Sequence, residues 1–281
     1  MKRQHLSRRS LLAAGCGGAV AALASPRQTV AAAAASTPPL RLGIQLYSLR
    51  GYKVDEALRH AKDLGLTQVE FYPGMYPINS DAAAIAAMNA TLADLGLSIS
   101  AHGVNRFTKD AARNREIFEF ARRAGIGILG ADPDPDSFAS LDELVKEFDI
   151  RVAIHNHGPK HRYNKVVDVL DAIEKHDARI GACAHLGHFI RSGERPTEVI
   201  RLLKGRLYGI HLKDFAEMQD KAKGVILGKG HMDVPAVMAA LVQVGFPADG
   251  ALSLEYEENP GNPLDEIREC ISVARAAMPQ A

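Results

Sequence analysis

The sequence has few cysteines, and this scarcity limits the kinds of protein that it can encode. Its 281 residues include three cysteines, of which Cys16 lies near the amino terminus. Cys183 falls in a predicted strand and Cys270 in a predicted helix. Disulfide-stabilised domains use more cysteines in a smaller chain. We therefore expect two buried free thiols rather than a disulfide framework.

The sequence also lacks a strong excess of charge of either sign. It contains 34 Lys and Arg residues against 33 Asp and Glu residues. The first 35 residues hold five basic residues and no acidic one, so the rest of the chain has 34 − 5 = 29 basic and 33 acidic residues. The net charge of that part is about −4, which argues against a nucleic-acid-binding surface. The sequence shows no cluster of arginines that would bind a phosphate group.

A long apolar run is missing as well, and the apolar stretch near the amino terminus indicates export. The Gly- and Ala-rich run 11–24 is shorter than the about 20 apolar residues of a membrane-spanning helix. It follows Ser7-Arg8-Arg9-Ser10, which resembles a twin-arginine export signal. Ala33-Ala34-Ala35 offers a small-residue cleavage site. We expect residues 1–35 to be a signal peptide, residues 36–281 to form one mature domain, and the location to be periplasmic or extracellular.

The mature part of the chain alternates between short apolar runs and amphipathic segments. The apolar runs predict strands, and the segments with helical periodicity predict a helix after each strand. The predicted strands are 40–46, 68–71, 97–101, 126–129, 151–155, 180–184, 207–212 and 251–255. Eight such pairs in 281 − 35 = 246 residues predict an α/β fold, a single-domain (β/α)8 TIM barrel. An open doubly wound sheet is the alternative, but no Gly-rich phosphate-binding sequence follows the first strand.

Histidines and a few charged residues are concentrated at the ends of the predicted strands. The carboxyl ends of barrel strands converge on one mouth, so these side chains should be neighbours there. Gly187 permits a turn that brings two of the histidines together. Several imidazoles with a carboxylate favour a divalent ion such as Zn, Mn, Fe or Co. The residues concerned are Glu70, His102, His155, His157, His185, His188, His211, Lys213 and Glu255.

Five segments in the second half of the chain resemble the xylose isomerase-like barrel family. This family includes sugar isomerases and epimerases, hydroxypyruvate isomerases and relatives of the family-2 apurinic endonucleases. The resemblance covers essentially the whole mature chain and implies a TIM barrel that acts on a small carbohydrate. The segments are Gly181 to His188, Arg191-Ser192-Gly193, His211-Leu212-Lys213-Asp214, Leu227 to Pro235, and Ser253-Leu254-Glu255-Tyr256-Glu257.

The resemblance also implies a metal site with an altered set of ligands. Epimerases of the family hold one divalent ion with Glu, Asp, His and Glu after strands five to eight. His211 and Glu255 match the last two ligands, whereas His155 and His185 stand where the first Glu and the Asp are expected. Replacing two carboxylates by imidazoles changes the formal charge of the site from about −1 to about +1, which favours Zn or Fe over Mg or Mn.

The remaining strand-end and loop residues receive catalytic or substrate-binding roles. Glu255 and His188 are assigned to catalysis, Glu70 is assigned the role of general base, and Lys213 is a donor to a developing enolate oxygen. Structural roles are the alternatives, such as an ion pair for Lys213 or a supporting position for His102. The residues predicted to contact substrate are His102, His157, His188 and His231.

These features together predict a metal-dependent enzyme that abstracts a proton next to the carbonyl of a non-phosphorylated sugar, as an isomerase or epimerase does. A 3-keto-glycoside lyase or hydratase that acts through the same enolate is the first alternative. A non-catalytic carbohydrate-binding barrel is the alternative from another class. The expected partner is a small carbohydrate, without nucleic acid or a membrane span.

Overall fold

The computed structural model describes residues 39–279, so the predicted export signal lies outside the described part of the chain. Eight parallel strands form a closed barrel. The predicted (β/α)8 barrel is thus confirmed. The barrel strands are β1 Leu42–Gln45, β2 Gln68–Phe71, β3 Ser98–Phe107, β4 Ile128–Pro133, β5 Arg151–His155, β6 Ile180–His185, β7 Leu207–Leu212 and β10 Ala251–Leu254. Around the barrel they follow the order β1-β10-β7-β6-β5-β4-β3-β2. Two further strands, β8 Asp214–Phe215 and β9 Gly224–Val225, pair antiparallel in the loop after β7.

The helices pack around the barrel and cover its outer face. No helix within residues 39–279 is long and apolar enough to cross a membrane. Their bounds are α1 Val54–Asp63, α2 Ala82–Leu95, α3 Ala111–Ala124, α4 Phe138–Phe148, α5 Val166–Ile173, α6 Leu186–Arg191, α7 Pro196–Leu202, α8 Val234–Val244 and α9 Leu264–Ala277.

Alternation along the strands decides which side chains reach the barrel interior. Residues two apart on a strand face the same side of the sheet. Ala153 and Cys183 belong to an interior cluster, so His155 and His185 extend the same faces toward the carboxyl end. The larger core lies between the strands and the helices, and its buried residues include Ile154 and Ile210. The barrel interior therefore holds a small, largely apolar cluster, and histidines lie beyond it at the carboxyl ends of β5 and β6.

The segment after β6 differs from the expected turn. Helix α6 begins directly after His185, which caps it by accepting a hydrogen bond from the backbone N–H of His188. Gly187 lies within this helix and has no positive φ. A Cβ atom at this position would lie 2.8 Å from the carbonyl oxygen of Lys213 and 2.8 Å from the ring of Phe215. Close approach of α6 to the end of β7, and not a turn, therefore requires this glycine.

Candidate functional site

Four buried side chains meet at the carboxyl ends of adjacent barrel strands. His155 ends β5, His185 ends β6, His211 lies on β7, and Glu255 follows β10; their potential ligand atoms all lie within 4.8 Å of one another. The Nε2 atom of His155 is 3.2 Å from Nδ1 of His211, which is 2.6 Å from Oε2 of Glu255. The Nε2 atom of His185 lies 3.4 Å from the same carboxylate oxygen. The structure thus brings together the four residues that the sequence predicts as metal ligands.

The donor atoms of this cluster fit a divalent transition ion. Ligand atoms that are each 2.0–2.2 Å from one ion lie about 3.0 to 3.6 Å from each other. The His155–His211 distance of 3.2 Å and the His185–Glu255 distance of 3.4 Å fall in this range. Nε2 of His185 and Oε2 of Glu255 are buried without a hydrogen-bond partner. Buried polar atoms rarely remain unpaired in native proteins. Three imidazoles and one carboxylate form a donor set that suits Zn, Mn, Fe or Co.

Glu70 lies behind His211 and faces away from the cavity. Its Oε1 atom is 3.0 Å from Nε2 of His211, and its Oε2 atom accepts a 2.6 Å hydrogen bond from the hydroxyl group of Ser253. This carboxylate favours the His211 tautomer with a proton on Nε2, which leaves the Nδ1 lone pair directed at the cluster. Only 1% of Glu70 is exposed. Its position therefore supports an orienting role and not the predicted role of general base.

Asn156 fixes the backbone of His185 from the neighbouring strand end. Its side-chain oxygen accepts a 2.7 Å hydrogen bond from the N–H of His185, and its amide nitrogen donates to the carbonyl oxygen at 3.2 Å. Because Nδ1 of His185 is occupied by the cap of α6, Nε2 is the atom left to face the cluster. Asn156 is fully buried and was not among the predicted site residues. Its position in the sequence, between His155 and His157, is the signal that could have identified it as a site residue.

A cavity of about 390 Å³ opens above the cluster at the barrel mouth. Its titratable walls come from the adjacent strand ends β5, β6, β7 and β10, whereas its aromatic and apolar walls come from β1, β2 and β3. The mouth is therefore divided into two unlike halves. The first half contributes His155, His157, His188, His211 and Glu255, and the second contributes Gln45, Tyr47, Tyr72, Pro73, Gly103 and Val104.

Two of the four histidines that line the cavity, His157 and His188, have pKa values that burial holds below the ordinary histidine value, which favours the neutral imidazole. The ring of His188 stacks on that of His185, with a centroid distance of 3.8 Å and an angle of 18° between their planes. Burial lowers the pKa of His188 far below the ordinary histidine value and lowers the pKa of His157 to about 4. The Nδ1 atoms of His157 and His188 have no hydrogen-bond partner. A neutral imidazole with a free ring nitrogen can take up a proton, and the lowered pKa makes it a weaker base than an ordinary histidine.

His211 differs from the other imidazoles of the cluster. Burial lowers the pKa of His155 and of His185, because the charged form is poorly solvated. Burial acts in the same direction on His211, but Cys183 and the carboxylates of Glu70 and Glu255 outweigh it and raise its pKa well above the ordinary value. Without an ion, a proton on His211 thus compensates the two carboxylates. A cation held at Nδ1 would take over this compensation.

Lys213 lies next to the cluster and is paired with a carboxylate. Its ammonium group donates to Oε1 of Glu257, and 7% of the residue is exposed. Lys213 does not line the cavity, so a direct contact with a developing enolate oxygen is not present in this arrangement. Its charge acts on the cluster instead: after burial and neighbouring charges, Lys213 contributes to the lowered pKa of His185 and of His188.

Two predicted substrate contacts do not reach the cavity. His102 is fully buried outside the barrel interior, where it packs against Tyr76 and Phe120 and its Nε2 atom is 2.9 Å from the carbonyl oxygen of Tyr76. His231 is exposed in the loop after β7 and does not line the cavity. The positions of both residues therefore do not support the substrate contacts predicted for them.

The carboxylate of Asp214 organises the loop that follows β7. It accepts hydrogen bonds of 2.8 to 3.0 Å from five backbone N–H groups, those of Phe215, Gly228, Gly230, His231 and Met232. A Cβ atom at Gly230 would lie 2.2 Å from the carbonyl oxygen of Phe215, so only glycine fits there. The His-Leu-Lys-Asp and Gly-Lys-Gly segments are thus two parts of one folded unit.

Comparison with known proteins gives a family and a curated relative. The profile of the family described as xylose isomerase-like TIM barrel matches residues 58–277. An inosose dehydratase from Clostridium botulinum (strain Eklund 17B / Type B) is 24% identical over 143 residues, which cover 44% of this chain and 47% of the relative. The match therefore spans about half the length of that relative.

Solved structures share the fold over most of the described chain. The D-psicose 3-epimerase of Clostridium cellulolyticum H10, solved with D-tagatose, has a TM-score of 0.68 at 12% identity and covers 85% of this chain and 99% of its own. The 3-keto-D-glucoside 4-epimerase of E. coli, in its apo form, has a TM-score of 0.66 at 15% identity and covers 84% of this chain and 99% of its own. At these identities the likeness shows a common fold.

Proposed function

Because the chain belongs to the xylose isomerase-like TIM barrel family, we propose that it is a metal-dependent enzyme that removes the proton next to the carbonyl group of a non-phosphorylated sugar. Isomerisation or epimerisation is the outcome that we propose first. The cluster of four buried donor residues, three of which line a cavity of about 390 Å³, is the observation that supports this most directly. A relative named as an inosose dehydratase and a fold neighbour named as a 3-keto-D-glucoside 4-epimerase are consistent with a sugar substrate.

One divalent ion, Zn, Mn, Fe or Co, would be held by His155, His185, His211 and Glu255. When bound, such an ion supplies Lewis acidity that polarises a carbonyl group. Glu70 orients the imidazole of His211, and Asn156 fixes the backbone of His185. The hydrogen bond from the N–H of His188 to Nδ1 of His185 leaves Nε2 of that ring to face the cluster. The protein thereby fixes the donor geometry before an ion binds, which limits the ordering that binding requires.

The proton is taken up by an imidazole of the cavity wall. His188 and His157 are neutral because burial lowers their pKa, and each has an Nδ1 atom without a partner. Lys213 is paired with Glu257, and its ammonium group disfavours a positive charge on His188. An imidazole that has accepted the proton is therefore poised to return it to the substrate or to a leaving group.

Two features favour a sugar without a phosphate group. Among the residues of the described chain that line the cavity there is no arginine or lysine, the residues that usually bind phosphate. Gln45, Tyr47 and Tyr72 instead provide an amide and aromatic rings. We also propose that residues 1–35 export the protein by the twin-arginine route, which would place it away from the phosphorylated sugars of the cytoplasm.

Elimination from the same enolate is a second candidate outcome, as in a 3-keto-glycoside lyase or hydratase. Transfer of a proton between opposite faces of a carbon needs a base on each side. Glu255 is the one carboxylate that lines the cavity in the described chain, and it belongs to the donor cluster. The remaining acid and base groups, His157 and His188, lie on the same half of the mouth. This one-sided arrangement suits removal of a proton followed by loss of a substituent.

The proposal is tested by hydrogen exchange. The metal-loaded protein is incubated in D2O with free aldoses, ketoses and 3-keto-glycosides, and deuterium next to the carbonyl is followed by NMR. His188→Gln should slow exchange by about 10²- to 10⁴-fold, the usual contribution of a general base. His60→Gln, on α1 and away from the cavity, is the matched control and should leave exchange unchanged. His211→Ala should lose the bound ion, measured by elemental analysis.

The outcomes of this test separate the candidates. Exchange accompanied by a new stereoisomer or by aldose–ketose conversion supports isomerisation or epimerisation. Exchange accompanied by release of an alcohol supports elimination. A wild-type protein that binds one ion per chain and sugars but catalyses no exchange in the whole panel would refute both. That result would favour a non-catalytic carbohydrate-binding barrel.

A further inference from the structure

The half of the mouth opposite the donor cluster carries a pair of tyrosines, of which Tyr47 is exposed and Tyr72 is partly buried. Tyr47 follows β1 and Tyr72 follows β2, and both line the cavity. Their ring centroids are 5.2 Å apart with an angle of 87° between the planes, so the two rings form a corner. Tyr47 remains 39% exposed and is one of four large hydrophobic side chains that are exposed in the described chain. An aromatic corner at the rim of a polar cavity is suited to a ligand.

Tyr47 is held in place although it is exposed. Its backbone N–H donates to the side-chain oxygen of Gln45 at 3.1 Å. The guanidinium group of Arg50 lies 4.6 Å from the ring centroid of Tyr47 and donates to the carbonyl oxygens of Tyr47 at 2.9 Å and of Glu257 at 2.7 Å. The ring position is therefore tied to both β1 and the segment after β10. A fixed ring loses little freedom when a ligand binds, which preserves affinity.

The two halves of the mouth suit different parts of one ligand. The donor cluster and the two wall histidines bind groups with oxygen atoms, whereas the tyrosine corner offers flat faces to a ring. Aromatic faces attract another aromatic ring beyond the contribution of the area that is buried. A monosaccharide that reacts at the donor half would leave the exposed Tyr47 ring uncovered, and a second ring attached to it would cover that ring.

We propose that Tyr47 and Tyr72 form a subsite for a second ring, so that the substrate is a glycoside whose reacting ring carries a keto group, and not a free monosaccharide. This inference rests on the proposed function, because the donor half of the cavity is taken to hold the reacting sugar. The second ring is either a sugar or an aromatic group, since both present a flat face that stacks on tyrosine. Gln45, whose side-chain oxygen is already engaged by Tyr47, has its amide N–H groups left to donate to the ligand.

The test compares three probes with the metal-loaded protein by calorimetry: methyl β-D-glucopyranoside, phenyl β-D-glucopyranoside and cellobiose. At least one of the two-ring probes should bind about 3- to 10-fold more tightly than the methyl glycoside. Tyr47→Ala should abolish this ratio, whereas Tyr47→Phe, which keeps the ring, should retain it. Retained metal content serves as the folding control for both variants.

An equal affinity for all three probes, or a ratio that Tyr47→Ala leaves intact, would overturn the subsite. Tighter binding of the phenyl glucoside alone identifies an aromatic group as the second ring, and tighter binding of cellobiose alone identifies a sugar. Exchange in D2O without any affinity ratio would leave the proposed function standing and refute this inference. If the ratio of affinities depends on Tyr47 but no hydrogen exchange occurs in D2O, the subsite stands and the proposed function is refuted.

Discussion

His211 is the residue through which the candidate metal centre is connected to its support. Its Nδ1 atom faces Glu255 at 2.6 Å, and its Nε2 atom faces Glu70 at 3.0 Å. Glu70 is in turn held by Ser253 on β10, the strand that also leads to Glu255. One imidazole thus joins a carboxylate that faces the cavity with a carboxylate that is packed beneath it. Changes at Glu70 should therefore be detected at the cluster although Glu70 does not line the cavity.

Glu70→Gln is expected to weaken metal binding by about 10- to 100-fold, the usual effect of removing a carboxylate that orients a metal-binding histidine. The amide keeps the shape of the side chain but no longer favours a proton on Nε2 of His211. Affinity is measured by competition with a coloured chelator. Glu194→Gln is the control, because Glu194 caps α5 through the N–H of Val166 and contacts none of the four donors. Equal losses in the two variants would show that Glu70 acts only through stability.

The double change His155→Glu and His185→Asp is expected to keep a metal site and to move its preference toward Mn or Mg. Oxygen donors are harder than imidazole nitrogens, and the formal charge of the donor set falls by about two units. Competition between Zn and Mn for the purified variant provides the measurement. If the variant folds and binds ions with wild-type preference, neither histidine contacts the ion.

Strand-end position predicted that the four clustered residues would meet at the barrel mouth, and the family resemblance identified them as ligands. Strand-end position alone could not predict which face of the barrel each histidine occupies. His102 is the example: Ala101 belongs to the interior cluster, so the next residue along β3 faces the outer side of the barrel. For His231, the loop conformation depends on Asp214, which lies 17 residues earlier in the chain. The alternation of side chains along β3 could have excluded His102 from the cavity. No local sequence pattern could have predicted the position of His231 in its loop.

The loop between β7 and α8 is the element whose conformation depends most on one side chain. Asp214→Asn is expected to cost about 2–4 kcal/mol of unfolding free energy, because an amide cannot accept the five hydrogen bonds that the carboxylate accepts. Urea unfolding measures the loss. Amide exchange at Gly228 and Gly230 should also become faster.

Asp220→Asn is the matched control in the same loop. Its side chain is 39% exposed and pairs with Arg191, and exposed pairs contribute about 0 to 1 kcal/mol. Comparable losses in the two variants would mean that the Asp214 carboxylate does not hold the loop.

Buried parallel strands were the easiest elements to predict. The segments 68–71, 151–155 and 207–212 were predicted with the bounds that the structure has, because a short apolar run between polar segments has few alternatives. Helix α6 was missed because it has only six residues and contains Gly187, which disfavours a helix locally. Its stability comes from the His185 cap and from packing against the end of β7. Such contacts join distant segments and leave no periodic signal.

For the whole molecule, export is a prediction about residues outside the described part of the chain. If Arg8 and Arg9 form a twin-arginine pair, changing both to Lys should leave the full-length precursor in the cytoplasm. Fractionation followed by immunoblotting measures this, and a change of Lys2 and Arg3 to other basic residues is the control. Normal export of the double Lys variant would show that another route is used.

The division of the barrel mouth into two unlike halves has a stereochemical consequence. A sugar held between the tyrosines and the donor cluster presents only one face of its reacting carbon to His157 and His188. Where that carbon carries two hydrogens, these are prochiral, and only the pro-R or only the pro-S hydrogen should be replaced by deuterium. The topology of the barrel, with β5 to β7 on one side and β1 to β3 on the other, would then determine the absolute configuration of the labelled product.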